Sequence, residues 1–498
     1  MIWFARKFGG SVGFMNLGKM FGDACRTYKD NTALVFENSR ISFKDLDGAV
    51  NSLANHLKSL GIGKGDKVAM MLPNVPEFPI TYFACQKLGA VAVTLNVMST
   101  AYELQYLLDN SDSRILITAA TSARRFEEIK DRLATCRLLL LTEVDEGPLS
   151  MKKALEAGPF EFEPSDAAED DAAVMIYTSG LTGKPLGAVL THGNLISQSM
   201  LLKNLFGATQ TDKALCLIPL FHSFGAVANM LNPLLIGACV VMLDAFSIDS
   251  IFKAIETEKI TYMTAVPRVF LGMLLQEGAG NFDISSLKFC VTGGSAMPPA
   301  YMPQFEKKFK VRIREGYGLT EASPVCSVTR LDMEQKPGSI GVPIPGLEAR
   351  IVDDTERDLP RGEIGELVVR GPNVMKGYYK DPEASALVLR NGWLHTGDLA
   401  LIDADGHIFL KGRKKRMIIT SGFNVYPREV EIVLNMHPAV RDSKIIGKSD
   451  LMRGEVVKAL VVKKEGASAD EKAILKHCRT YLSSYKIPRE IEFVDRLS

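Results

Sequence analysis

The sequence contains no C-x-x-C pair, no uninterrupted apolar run of membrane-spanning length, and no excess of charge of either sign. Each absence removes a class of function. The eight cysteines (Cys25, Cys85, Cys136, Cys216, Cys239, Cys290, Cys326 and Cys478) stand apart in apolar surroundings, which argues against a zinc site or a disulfide framework and predicts buried thiols in a reducing, cytoplasmic setting. Lys plus Arg number 59 against 58 for Asp plus Glu, so no electrostatic footprint for nucleic acid exists and any anionic ligand must be held by local groups. The longest apolar stretch, Ala226 to Leu243, carries Asn229, Asn232 and Pro233 and is divided by Gly237, which predicts a buried helix followed by a buried strand. At the N-terminus, Arg6, Lys7 and a glycine pair break any run of signal-peptide length. The aromatic and basic residues from Met1 to Phe8 allow peripheral contact with a membrane surface, although a frayed or packed terminus is the plainer reading.

What is present points to a multidomain α/β chain, since 498 residues exceed one simple core. The first third alternates helical patterns with short β-rich runs: a helix around Leu46 to Leu60, then strands at Lys67 to Leu72 and Arg114 to Thr118. Gly61, Gly63 and Gly65 lie between helix and strand, the reverse of a dinucleotide-binding turn. After Asp171 the expected order is an apolar strand, Ala172 to Tyr177, a Gly/Ser/Thr loop, and a helix from Asn194 to Leu205. A second strand, Leu287 to Val291, runs into Thr292-Gly293-Gly294-Ser295-Ala296-Met297-Pro298, and ligands of open α/β sheets collect outside such strand ends. From Pro337 the texture turns to short β segments split by Pro and Gly, which predicts a β-rich subdomain over about 337–411. The basic run Arg413-Lys414-Lys415-Arg416 is the candidate hinge before a final α+β stretch.

The loop Tyr177-Thr178-Ser179-Gly180-Leu181-Thr182-Gly183-Lys184-Pro185 brings backbone N–H groups, three hydroxyls and one cation together, a composition suited to a triphosphate. It is not a P-loop, because Thr178 stands where that motif needs glycine and Pro185 where it needs Ser or Thr. It has company in order along the chain: Pro219-Leu220-Phe221-His222-Ser223, Gly316-Tyr317-Gly318-Leu319-Thr320-Glu321, Thr396-Gly397-Asp398, and Gly412 to Arg416 followed by Gly422-Phe423-Asn424-Val425-Tyr426-Pro427-Arg428-Glu429-Val430-Glu431. From Ile41-Ser42-Phe43-Lys44-Asp45-Leu46 to the chain's end, the sequence resembles the adenylate-forming superfamily, which includes acyl-CoA and aryl-CoA synthetases, firefly luciferase and peptide-synthetase adenylation domains.

The resemblance implies a large N-terminal domain of two α/β layered subdomains plus a distorted β-barrel (1–411), a hinge (412–416), and a small mobile α+β C-terminal domain (417–498). It also implies ATP, Mg²⁺ and coenzyme A, and a small-molecule carboxylic acid that is first adenylated and then passed to the thiol. The residues acquire roles on that basis. Thr178, Ser179, Gly180, Thr182, Gly183 and Lys184 would hold phosphates; Thr320 would hydrogen-bond the α-phosphate; Glu321, helped by Thr178, would hold the metal. Gly294, Ser295, Ala296, Gly316, Tyr317 and Gly318 would form the adenine pocket, and Asp398 with Arg413 would take the ribose. His222 would border the acyl pocket, and Ser421 with Gly422 the pantetheine tunnel. No acid lies between Phe221 and Leu231, whereas an amino-acid substrate would want a carboxylate for its ammonium group. The expected activity is thus an AMP-forming acyl-CoA synthetase for a medium- or long-chain fatty acid, with an aryl-CoA ligase, or an adenylate-binding protein of impaired catalysis, as alternatives. A homodimer is left open.

Three positions depart from the family pattern. Leu186 stands where a second loop lysine is expected, Leu181 where Thr or Ser is usual, and Arg416 where the hinge is usually acidic. The segment Tyr485-Lys486-Ile487-Pro488 to Ser498 approaches the family's last motif and stops before its lysine, which suggests a trimmed chain.

Overall fold

The structure, a computed structural model, describes residues 16–179, 183–243, 246–414, 417–450, 452–468 and 470–497. Its centre is two large sheets. The first has seven strands among the described residues, in the order Gly377–Tyr378, Pro185–Thr191, Ala172–Ser179, Val91–Thr94, Lys67–Met71, Ser113–Ala119 and Leu138–Thr142. From Ala172–Ser179 onward its neighbours run parallel. The second has nine, in the order Val342–Pro343, Val325–Val328, Arg312–Gly318, Phe289–Thr292, Tyr262–Ala265, Lys213–Cys216, Cys239–Met242, Thr32–Phe36 and Ser39–Ser42. Here the stretch from Arg312–Gly318 to Thr32–Phe36 is parallel.

Every residue of Val91–Thr94 and of Phe289–Thr292 is buried, as expected for parallel strands covered on both faces by helices. The covering helices start where the sequence supplies caps. Phe43–Ser59 begins at Ser42, whose hydroxyl accepts from the Asp45 N–H at 3.1 Å. Ala101–Ser111 begins at a capping box in which Thr100 and Glu103 satisfy each other's backbone N–H groups.

In the apolar stretch after Pro219, Ser223–Gly225, a π-helical Ala226–Leu231 and Asn232–Leu235 lead into the buried strand Cys239–Met242. Its asparagines are satisfied inside the protein: Asn229 donates to the Leu215 carbonyl at 2.8 Å and accepts from Thr264 at 3.0 Å, and Asn232 donates to the Val227 carbonyl at 3.0 Å. Among the described residues no helix is long and apolar enough to cross a membrane. All eight cysteines are free and buried.

One expectation is overturned. Thr178 and Ser179 continue the strand Ala172–Ser179, which pairs antiparallel with Pro185–Thr191, Thr178 facing Leu186 and Ser179 facing Pro185. The phosphate-loop candidate is therefore the connection of a β-hairpin, and a strand intervenes before any helix. The helix expected from Asn194 to Leu205 is divided into His192–Gln198 and Leu201–Phe206.

Beyond residue 340 two smaller sheets follow. Glu348–Val352, Gly365–Arg370, Trp393–Ile402, Leu389–Arg390 and Ile408–Arg413 form an antiparallel sheet. Phe423–Val425, Ile418–Thr420, Gly454–Lys463, Val440–Asp450 and Glu490–Phe493 form another, packed by the helices Pro427–Asn435 and Glu471–Tyr481 around a core that includes Val430, Leu434, Ala459 and Ile474. The fold is multidomain α/β with a small C-terminal α+β body.

Candidate active site

The carboxyl ends of strands from both large sheets open into one cavity of about 560 Å³. Ala172–Ser179 contributes Thr178 near its end; Phe289–Thr292 is followed by Gly293 and Gly294; Arg312–Gly318 leads to Thr320 and Glu321.

Glu321 is the centre of the polar part. Its Oε1 accepts from the phenol of Tyr378 at 2.7 Å and from the hydroxyl of Thr178 at 3.3 Å. Burial pushes its carboxyl upward, and these two donors pull it back down. Thr320 pairs its hydroxyl with that of Ser223 at 3.2 Å. The donors around Glu321 are all oxygen and too few to enclose an ion. Such a set fits Mg²⁺, which keeps waters and completes its shell with phosphate oxygens.

Across the cavity, Asp398 and Arg413 are cross-strand neighbours in the third sheet, with Arg413 Nε 2.8 Å from Asp398 Oδ1. The phenol of Tyr317 donates to the other Asp398 oxygen. Asp398 is thus held rigid with its remaining lone pairs available for hydroxyl donors. Gly294, at φ +81°, turns the chain beside the cavity. The turn is braced from below by Glu315, whose Oε1 accepts from the Met297 N–H at 3.0 Å. Burial raises the Glu315 carboxyl to about 7. Gly316 and Gly318 also line the cavity, but Gly318 has a packing reason as well, since a Cβ there would lie 2.0 Å from the Pro324 carbonyl oxygen.

The apolar wall comes from Phe224, Val227, Ala228, Leu201, Leu205 and Phe206. His222 stands at its edge between Phe221 and Phe423, with ring centroids at 4.7 and 5.3 Å. Among the described residues its Nε2 has no partner, and burial holds the imidazole neutral, lowered to about 4.

The described residues do not gather every expected group. Lys184 is exposed and does not line the cavity, although Gly183 beside it lies against Ile432 and Arg428 of the C-terminal body. Ser295 and Ala296 are outside the lining, and Ala296 is exposed. Ser421 is also outside it and accepts from Arg268 at 3.3 Å, whereas Gly422 lines the cavity next to Val266. Gly180 and Thr182 lie outside the described residues, as do the side chain of Ser179, the departures Leu181 and Arg416, hinge residue Lys415, and residues 1–15. Leu186 does line the cavity, so an apolar side chain stands there just after the hairpin connection. Tyr378 was missed because only the pairing of Gly377–Tyr378 with Pro185–Thr191 brings it to Glu321. The adjacent Gly377-Tyr378-Tyr379, two phenols after a glycine, was the available signal.

A family profile described as AMP-binding enzyme matches residues 21–379, and one described as AMP-binding enzyme C-terminal domain matches 429–498. The chain belongs to the adenylate-forming AMP-binding enzymes. This AMP-binding enzyme is 34% identical to a long-chain-fatty-acid–CoA ligase of Bacillus subtilis (strain 168), over 96% of this chain and 90% of that protein. It is 37% identical to a feruloyl-CoA synthase of Amycolatopsis sp, over 94% of this chain and 92% of that protein. Among solved structures, the amide bond synthetase of Marinactinospora thermotolerans matches with a TM-score of 0.89 and 29% identity, over 97% of this chain and 96% of that one. The family and its CoA-ligase relatives place this AMP-binding enzyme among the acid–thiol ligases.

Proposed function

We propose that this AMP-binding enzyme activates an apolar carboxylic acid, of the medium- or long-chain fatty class, through acyl-AMP to acyl-CoA. The observation that carries the reading is one cavity with a single carboxylate, Glu321, held by Tyr378 and Thr178, a ribose-competent carboxylate at Asp398, and a remaining wall of Phe224, Val227, Ala228, Leu201, Leu205 and Phe206 without an acid among them. An ammonium-bearing substrate would find no counter-charge on that wall.

In the first half-reaction the substrate carboxylate attacks the α-phosphorus of ATP, the bond to the β-phosphate oxygen breaks, and pyrophosphate leaves. The chain's work is positional and electrostatic. Thr178 and Thr320 offer hydroxyl donors at the phosphates, and Asp398 with Arg413 fixes the ribose; Lys184, exposed and outside the cavity lining, adds a cation only by swinging in from the hairpin connection. Mg²⁺, held at Glu321, would supply neutralisation of phosphate charge. In the second half-reaction the thiol of coenzyme A attacks the acyl carbon and AMP leaves. Gly422 leaves room for that approach beside Val266: its φ is +87°, and a Cβ would lie 3.0 Å from Val266 Cγ1.

The aryl alternative is supported by the likeness to feruloyl-CoA synthase and by the aromatic rings of Phe224 and Phe206 in the wall. A panel of fatty acids of graded length and of aryl acids, assayed with ATP, Mg²⁺ and either coenzyme A or a simple amine, separates the readings. The proposal expects thioester from fatty acids and no amide. Thioester from aryl acids alone transfers the assignment to the alternative; amide without thioester removes both.

A further inference from the structure

Among the described residues, the least solvated ionic cluster outside the cavity joins the two bodies of the protein. Lys486, in the C-terminal body, places Nζ 2.8 Å from Glu103 Oε1 and 2.5 Å from Glu429 Oε1, and all three side chains are under 10% exposed. Glu103 belongs to the helix Ala101–Ser111 of the large body; Glu429 belongs to Pro427–Asn435 of the small one. Glu103 is further held by the Ser483 hydroxyl at 2.6 Å and the Ser483 N–H at 3.3 Å. Around it, the Thr100 hydroxyl donates to the Tyr481 carbonyl at 3.2 Å, and the rings of Tyr102 and Tyr481 meet edge-on at 5.2 Å.

The cluster connects directly to the cavity. Tyr485, next to Lys486, stacks on Phe423 at 4.7 Å, and Phe423 packs on His222 at 5.3 Å. Two carboxyl groups share one ammonium in a desolvated place: Lys486 and Ser483 hold the Glu103 carboxyl below its ordinary value, burial pushes that of Glu429 up, and among the described residues Glu429 Oε2 has no partner. A buried arrangement of that kind is a costly way to gain stability and a specific way to hold a geometry.

We infer that Glu103, Lys486 and Glu429 form a clamp that seats the segment Gly422–Tyr426 on the cavity and so positions it for the thiol-transfer half-reaction. The inference rests on the acyl-CoA synthetase reading for its second half only. Glu103, Ser483 and Lys486 are positioning residues, since none of them lines the cavity. The groups assigned to adenylation, Thr178, Thr320, Glu321, Asp398 and Arg413, have no hydrogen bond or ion pair with the cluster among those of the described residues. Loosening the clamp therefore separates the two half-reactions.

The test variant is Glu103→Gln, which keeps a capping side chain at the helix start and leaves Lys486 and Glu429 as a neutral pair. Ser483→Ala is the second, milder variant. Pyrophosphate release from acid and ATP without coenzyme A reads the first half-reaction; thioester formation from preformed acyl-AMP and coenzyme A reads the second. The expected result for Glu103→Gln is at least a tenfold slower second half-reaction with the first unchanged within twofold or faster, and Ser483→Ala the same split to a smaller degree. Equal losses in both, or no loss in the second, overturn the clamp. Amide hydrogen exchange of the apo chain gives a readout independent of turnover: exchange in 481–486 is expected to quicken several-fold in Glu103→Gln, and unchanged exchange overturns the clamp. A wild-type chain that forms no acyl-AMP counts against the functional reading, while the exchange result still decides the clamp.

Discussion

The phenol of Tyr378 and the hydroxyl of Thr178 donate to the same oxygen of Glu321, at 2.7 and 3.3 Å. Burial raises this carboxyl and the two donors lower it, so the phenol helps to keep Glu321 ionised. Tyr378→Phe removes the shorter bond. A hydrogen bond to a charged group contributes about 1.5–3 kcal/mol, so adenylation at low Mg²⁺–ATP is expected to fall roughly 10- to 100-fold. The carboxyl rises further without the phenol, and the acid limb of the pH profile therefore moves to higher pH. Pyrophosphate release measured against pH and Mg²⁺ checks both effects.

Lys184 is exposed on the hairpin connection, and Leu186 beyond it is apolar. Lys184→Ala should therefore leave the fold within about 0.5 kcal/mol of wild type, as surface substitutions do. If the lysine reaches the triphosphate, adenylation drops about 10²- to 10³-fold, the range for one lost transition-state donor. Pyrophosphate release alongside a thermal midpoint separates the two quantities. Unchanged release would mean that this loop has another job.

Much of this site was legible as residue identity and little as path. Thr178, Glu321, Asp398 and Arg413 stand out through the family resemblance of the motifs around them; without it Asp398 passes as a turn residue and Arg413 as surface charge. The hairpin was hidden because Leu186 to Thr191 is a short apolar run, which periodicity alone does not assign, and Pro185 reads equally as a breaker or as a strand start. The Tyr378–Glu321 and Lys486–Glu103 contacts join residues 57 and 383 positions apart. No local pattern encodes such pairs; they exist only once the sheets and the C-terminal body are assembled. The β-rich texture after Pro337 was easier, because alternating strands split by Pro and Gly need no long-range partner to be recognised.

Glu315 offers a test of how the turn at Gly294 is supported. Its buried carboxyl, raised to about 7, is ordinarily near 4.5, so the folded state holds a proton that the unfolded state has lost between those values. Stability from this group is complete below pH 4.5 and declines as pH rises to about 7. Above that the cost is about 3.5 kcal/mol at most, from roughly 1.4 kcal/mol per unit. Glu315→Gln keeps an acceptor for the Met297 N–H and removes the titration. The variant is expected to gain stability over wild type at pH 8 and to match it near pH 4.5, as read by denaturant midpoints at the two pH values.

The central claim is that the substrate carboxylate itself attacks the α-phosphorus. An acid labelled with ¹⁸O in both carboxyl oxygens, converted with ATP and coenzyme A, tests this by mass spectrometry of the products. One labelled oxygen should appear in AMP, one should remain in the thioester, and none should enter pyrophosphate. Thioester formed with unlabelled AMP, or with ADP as the nucleotide product, would contradict the account.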